Sequence, residues 1–509
     1  MGVTVKNHNQ RLGGVAFRSA TAFAGFAVLG LLLSMAIFQL FARFGVAGTT
    51  AMVVAIPFAL VIGAGALPEL VRGARSLSRS FGWQEWLWAL LFISAMTFEV
   101  RNLHEAMSQP LDQWVAVRVG AELIVVVIMA WRISSGKNSL KYLSHGLLAP
   151  LALYSLVCLV STTWSVAPFF SFVRSAEYAL GVMAAALVFE SAPTAEDYLR
   201  IVNWTWTVYA LETGSAWIRA VVSPSTAWDD LGRLSGVFPM VGPNGIGSTG
   251  AVLILVGVTR LLWHDRRGVS RSWYWAVIVY GVASLVVSHT RHAVGMIVLG
   301  LAVVLMMKNK KWILFALTSF VVPLLMLTSI GPTVETYMRR GQDNAEIRAL
   351  TGRTEFWGLA WEQLSRHPLT GLGSWAGGRF GVLDKLGRAD AGSLHSDWVE
   401  ILVGTSFWGV LTMAAAVIGT AWYLLRGCVS RHLSDLERDL SIECTGVMAM
   451  LTLHSFFNDE FSMHPPLMFL AVLGFAELLR RRFKALEVAE PGRVRVGREA
   501  SASFAPSHI

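Results

Sequence analysis

Residues 20–41 read ATAFAGFAVLGLLLSMAIFQLF, a run without a single charge. At about 1.5 Å of rise per residue, a helix of this length matches the roughly 30 Å hydrocarbon core of a bilayer. Lys6, Arg11 and Arg18 precede it, and no small-residue cleavage site follows, so the sequence predicts a retained signal-anchor. Working outward on the same criterion, fourteen segments qualify as spans. They lie near 19–42, 48–67, 83–100, 112–131, 146–163, 170–190, 201–222, 245–263, 273–288, 292–307, 312–330, 405–425, 441–457 and 464–480. The whole 509-residue chain agrees: 54% of it is apolar and only 15% charged, where soluble domains carry about a quarter. Disordered, collagenous and disulfide-scaffold classes are excluded, and so is a multidomain cytosolic enzyme. The expected fold class is an all-α polytopic integral membrane protein.

Basic residues set the orientation of such a chain. Arg72/Arg75/Arg79, Arg132/Lys137/Lys141, Arg260/Arg266/Arg267/Arg271, Lys308/Lys310/Lys311, Arg426/Arg431/Arg438 and Arg480/Arg481/Arg482/Lys484 fall on alternate loops. With the N-terminus inside, every one of these loops is cytoplasmic, and the C-terminus is cytoplasmic too. The net charge of +9 then reads as anchoring to anionic lipid, with no nucleic-acid partner. Cys158, Cys428 and Cys444 all avoid the outward loops, so no disulfide is expected. The organisation predicted is N-terminal spans over 1–145, core spans over 146–330 with an outward loop at 223–244, and a long outward loop over 331–404. C-terminal spans over 405–484 and a Gly/Ala/Ser/Pro-rich, disordered cytoplasmic tail over 485–509 complete it.

A loop of this length without function is uncommon. Within it, Arg353 to Arg366 reads as an amphipathic helix, with Trp357, Trp361 and Leu364 at helical spacing and His367-Pro368 ending it. A second helix is expected from near Ser393 into the twelfth span. Four outward patches hold the polar inventory. They are Trp164-Ser165 with Pro168, Ser171 and Arg174; Gly232 to Phe238 with Gly242-Pro243-Asn244-Gly245; Ser288-His289-Thr290-Arg291-His292; and Gly352-Arg353 with Arg366 to Gly373 and His395-Ser396-Asp397-Trp398.

Outward arginines run against the positive-inside bias, although snorkelling to headgroups is their bland role. Arg291, at a span end between two histidines, is the first candidate for an anion site; Arg233 and Arg353 follow, ahead of Arg174 and Arg219. A guanidinium fork donates two hydrogen bonds to paired oxygens and so suits a diphosphate. His395 stands just ahead of an apolar helix with Asp397 and Glu400 nearby, and a neutral imidazole there could take a proton from a sugar hydroxyl. His367, before a proline, reads as structural. Asp229-Asp230 is an adjacent acidic pair outside, and the first outward loop, Arg43 to Gly48, has no acid.

Taken in order, these patches resemble the O-antigen ligase and Wzy-type polysaccharide polymerase superfamily of bacterial envelopes. The resemblance covers about half the chain, Ser161 to Gly409. It implies a GT-C-like glycosyltransferase of the bacterial inner membrane, acting at the periplasmic face on an undecaprenyl-diphosphate-linked oligosaccharide donor. It also implies a saccharide or lipid A-core acceptor, other polysaccharide-export proteins as partners, and no metal or cofactor. By position, Arg233 and Arg291 match the family's diphosphate-binding arginines, His395 matches the histidine that assists the acceptor, and Arg353 matches a recurrent arginine. Ser396 departs from the family, standing where Asn is frequent, and fourteen spans exceed its usual number. The Trp164-Ser165…Pro168 patch with its following Ser and Arg resembles exopolysaccharide polymerases, so polymerisation of repeat units is the leading expectation and O-antigen ligation the alternative. A lipid-linked oligosaccharide flippase is the rival class. It should show repeats and mid-membrane charges, of which Glu177 and Glu212 are the few acids. The mechanism further predicts that Arg233, Arg291 and His395 line one outward-facing cavity.

Overall fold

A computed structural model describes residues 82–96, 113–229, 231–236, 241–264, 269–313, 353–388, 392–462 and 465–489, with positions 316, 319, 335 and 339 besides. The expected spans at 19–42 and 48–67, most of 312–352 and the tail from 490 lie outside the described residues.

The described chain is all-helical. In order come α1 (Trp83–Met96), α2 (Gln113–Ser134), α3 (Ala149–Ser161), α4 (Pro168–Glu190), α5 (Ala195–Val222), α6 (Pro243–Leu261), α7 (Arg271–Ser288), α8 (Arg291–Met307), α9 (Arg353–Arg366), α10 (Asp397–Val429), α11 (Asp435–His454) and α12 (Leu467–Ala489). A lone bridge between Trp228 and Leu234 is the β-structure among the described residues. Local chemistry fixes several starts. Proline opens α3, α4 and α6, where its missing N–H and fixed φ suit the first turn. Ser270 caps α7 by accepting from the Trp273 N–H. Among the described residues four helices are long and apolar enough to cross a membrane: Trp114–Ser134, Pro168–Glu190, Pro243–Leu261 and Asp397–Val429. On α2, Leu123, Val127 and Trp131 are more than half exposed, an apolar stripe suited to lipid rather than water.

The chain forms two compact units. The first holds 1–123, 204–352 and 449–454; the second holds 124–203, 353–448 and 455–509. In the first unit α6 and α7 meet backbone to backbone. A Cβ on Gly250 would sit 2.6 Å from the Gly281 carbonyl, and one on Gly281 2.6 Å from that of Gly250. Small residues permit such an approach, which gives apolar helices dispersion contacts where no hydrophobic drive separates them from lipid. Ala216, Ala220, Ala227, Leu234, Val241, Ile246 and Val287 form a core of their own, with Trp217 and Trp228 packed against it.

In the second unit the decisive feature is a break in α10 at Ser406, with φ 57° and ψ −161°. An uninterrupted helix would spend the Val403 and Gly404 carbonyls on residues 407 and 408. Here the Leu372 N–H donates to the Val403 carbonyl (2.8 Å) and the Gly373 N–H to that of Gly404 (2.9 Å). Gly371 must be glycine: its φ is +67°, and a Cβ would lie 2.6 Å from the Val403 oxygen. The Gly371–Ser374 segment is also held from the α3–α4 side. Val166 N–H donates to the Leu372 carbonyl (3.0 Å), Trp164 Nε1 to that of Thr370 (3.0 Å), and Ser171 Oγ to that of Ser374 (2.7 Å). Phe356, Ala360, Leu372, Val382, Leu383, Leu394 and Val403 give this loop region its own core.

Candidate functional site

Each unit carries part of the candidate set. In the first, the loop after α5 folds back on itself around Asp229. Its Oδ1 accepts from the Arg233 N–H (2.8 Å) and its Oδ2 from Arg233 Nε (2.7 Å), while the Asp229 N–H donates to the Arg233 carbonyl (2.9 Å). Gly232, at φ +72°, makes the turn possible. Among the described residues the Nη atoms of Arg233 make no hydrogen bond, so the outer edge of its fork remains for a ligand. The side chain is 22% exposed. A guanidinium thus occupies the place a cation would take on Asp229; Asp230 lies outside the described residues.

The Leu234 N–H donates to the Val287 carbonyl at the end of α7 (3.1 Å), and Thr290 Oγ1 donates to the Pro243 carbonyl (3.1 Å). The described ends of one patch singled out in the sequence, at Leu234 and Pro243, are therefore neighbours of a second, Ser288 to His292. His289 takes a left-handed φ of 50° as the cap of α7, and Arg291 then opens α8. The next residue, His292, stacks on His454 with centroids 4.5 Å apart, and Ser248 Oγ lies 3.2 Å from His454 Nε2. Nothing in the sequence distinguished His454, since it closes a helix far along the chain.

In the second unit Arg353 is the first residue of α9 and His395 lies two residues before α10. His395 has φ 53°, a left-handed conformation that costs a non-glycine residue energy and is often retained at functional sites. Its Nδ1 is buried without a hydrogen-bond partner, and the Asn458 side chain favours the charged form of the ring. Burial pushes its pKa below the usual 6.5, with the Asp459 carboxylate opposing, the Arg353 guanidinium adding to the depression, and the Asn458 contact opposing again. The imidazole is therefore neutral at neutral pH and able to accept a proton. The backbone around it is held closely. Trp357 Nε1 donates to the Leu394 carbonyl (3.1 Å), and Glu400 accepts from the Leu394 N–H (3.2 Å). Asp397, wholly buried, accepts from the Glu460, Phe461 and Ser462 N–H groups and from Ser462 Oγ. Asn458 and Asp459 were missed in the sequence, where only Asp397 and Glu400 stood near enough to draw notice.

Other candidates have structural work. Arg174 pairs with Glu177 at 2.8 Å, both buried. Arg219 Nε donates to Thr226 Oγ1 (3.2 Å). His367 is exposed, and its carbonyl accepts from the Gly371 N–H (3.0 Å). The Trp164-Ser165…Ser171 patch is the seat of the Gly371–Ser374 segment. Helix α9 stands where the sequence placed it, but its buried face is Phe356, Ala360 and Gln363, with Trp361 67% exposed. Cys158, Cys428 and Cys444 are each buried as thiols, with Cys428 Sγ 3.2 Å from Thr445 Oγ1.

Residues 276–414 match the Wzy_C family model, described as O-antigen ligase. That stretch contains Arg291, Arg353 and His395, and leaves out Arg233, Asn458 and Asp459. No curated protein matches the chain.

Proposed function

We propose that this chain is an inner-membrane glycosyltransferase that polymerises undecaprenyl-diphosphate-linked saccharide repeat units at the periplasmic face of a bacterium. What carries the reading is His395: a buried, neutral imidazole with an unbonded Nδ1, on a strained backbone, inside the stretch that matches the O-antigen ligase model. In the proposed reaction an acceptor hydroxyl oxygen attacks the anomeric carbon of the donor sugar. The bond from that carbon to the diphosphate oxygen breaks with its electron pair, and His395 takes the hydroxyl proton. Undecaprenyl diphosphate is already a good leaving group, so what remains is to stabilise its developing charge and orient the acceptor. We assign the first task to Arg233 and Arg291, with Arg353 beside the base. Chemistry of this kind needs no metal or other cofactor. Fourteen spans, a GT-C-like arrangement and cytoplasmic termini belong to the same proposal, as do a cytoplasmic tail and an acceptor drawn from lipid-linked saccharide.

The description of the matching family favours a second reading, ligation of finished glycan to lipid A-core. One experiment separates the two. A deletion strain is complemented with wild type or His395→Ala, and its envelope glycans are resolved by size. The polymerase reading predicts that His395→Ala leaves single repeat units and no long polymer. Long polymer still made but no longer attached to lipid A-core would establish the ligase instead.

A further inference from the structure

The carboxylate of Asp397 is the most heavily used acceptor among the described side chains around His395. It sits at the first position of α10, where the helix dipole favours a negative group. Oδ2 accepts from the Glu460 N–H (2.6 Å) and the Phe461 N–H (2.9 Å). Oδ1 accepts from the Ser462 N–H (2.9 Å) and Ser462 Oγ (2.6 Å). Three consecutive N–H groups converging on one carboxylate form an anion nest, here filled by a side chain of the same unit. The main chain of Asp397 grips the same loop from its other end, its N–H donating to the Ser455 carbonyl (2.9 Å) and, more weakly, to that of Asn458 (3.3 Å). Asn458 is held in the first grip by its carbonyl, and Asp459 lies between the two.

We propose that Asp397 is a positioning residue for the transfer reaction: by clasping the 455–462 loop at both ends, it holds Asn458 and Asp459 against His395. The proposal rests on His395 being the base. The groups facing the imidazole are the Asp459 carboxylate, the Arg353 guanidinium and Asn458, with Asp397 and Glu400 on the helix that follows. Of these, Asp459 and Asn458 favour the imidazolium that forms when the proton arrives, and both sit on the clasped loop. A loop freed at one end lets them drift from the ring. The base then loses its orienting partners, and it titrates at lower pH because burial and Arg353 are left less opposed. The loop does not depend on Asp397 alone, since Tyr178 OH donates to the Phe461 carbonyl (2.7 Å) and Trp375 Nε1 to that of Ser462 (2.5 Å). The fold therefore has a means of surviving the loss.

The test uses the purified full-length chain in nanodiscs with an undecaprenyl-diphosphate-linked saccharide, following kcat, donor KM and the pH profile. Asp397→Asn turns an amide donor toward backbone donors. The expected result is a fall in kcat on the order of 10-fold or more, a donor KM that stays put, and an acid limb moved to lower pH. In an Asp459→Asn background the same substitution moves the limb less than it does alone, because only Asn458 is left to be displaced. An unchanged pH profile and kcat, or a shift additive with Asp459→Asn, overturns the proposal. If Asp397→Asn does not accumulate as folded protein, Ser462→Ala decides on the same readouts, with a smaller effect in the same direction. It removes one donor to the clasp and changes no charge. Activity that persists in His395→Ala would instead overturn the reading on which this inference rests.

Discussion

At the scale of single residues the account turns on two side chains whose chemistry is set by what they touch. His395 is neutral because burial disfavours its charged form, with Arg353 acting in the same sense against Asp459 and Asn458. A base with a pKa held below its usual value is fully competent at neutral pH and is lost only as pH falls through that depressed value. Activity should therefore persist through pH 6.5 and decline on the acid side of it, and Arg353→Gln should move that decline to higher pH; a rate profile on purified protein checks both. Arg233 has its Nε and main-chain N–H committed to Asp229 while its Nη edge remains. Arg233→Lys keeps the charge but removes the fork, so donor KM should rise about 10-fold, in line with the loss of a charge-assisted hydrogen bond. The sequence made His395 legible because it stood in an unusual place, ahead of an apolar helix in a long polar loop. Asn458 and Asp459 were not legible. They reach the imidazole only because Asp397 gathers a loop that follows another helix, and no local pattern records such a meeting.

At the scale of elements, composition and period predicted where helices stand better than which face they bury. The spacing of Trp357, Trp361 and Leu364 suggested one apolar stripe on α9, yet the helix buries Phe356 and Ala360 and leaves Trp361 out. The loop core around Leu372, Leu383 and Leu394 chose the face, and that core is assembled from segments distant in sequence. The two tryptophans should accordingly behave differently. Trp357→Phe removes the hydrogen bond to the Leu394 carbonyl and should cost about 1 kcal/mol. Trp361→Ala should leave the thermal midpoint in detergent within error of wild type. The break at Ser406 was also invisible, because residues 405–425 read as an uninterrupted apolar run. Its consequence is the docking of Leu372 and Gly373 on the opened carbonyls. Gly371→Ala, which forces a Cβ into a left-handed residue pressed against the Val403 oxygen, should destabilise the protein by about 2 kcal/mol or more. A lowered midpoint in the same assay checks it.

At the scale of the whole molecule the apolar composition decided the class, and the described residues, all-helical with four helices among them able to cross a membrane, agree with it. Sidedness is a matter of loop charge, and labelling tests it directly. The three native cysteines are buried and can be replaced by serine. In that background Ser365→Cys should react with an impermeant maleimide in intact spheroplasts, whereas Lys310→Cys, among the basic residues expected inside, should react only after permeabilisation. The reverse pattern would invert the proposed topology.

The most direct measurement of the central claim is reconstitution. The purified chain in nanodiscs, given only an undecaprenyl-diphosphate-linked repeat unit, should release undecaprenyl diphosphate and build a ladder of longer lipid-linked glycans, and His395→Ala should do neither. A wild-type protein that yields no longer glycan from that substrate, or a His395→Ala protein that yields the same ladder, would contradict the account.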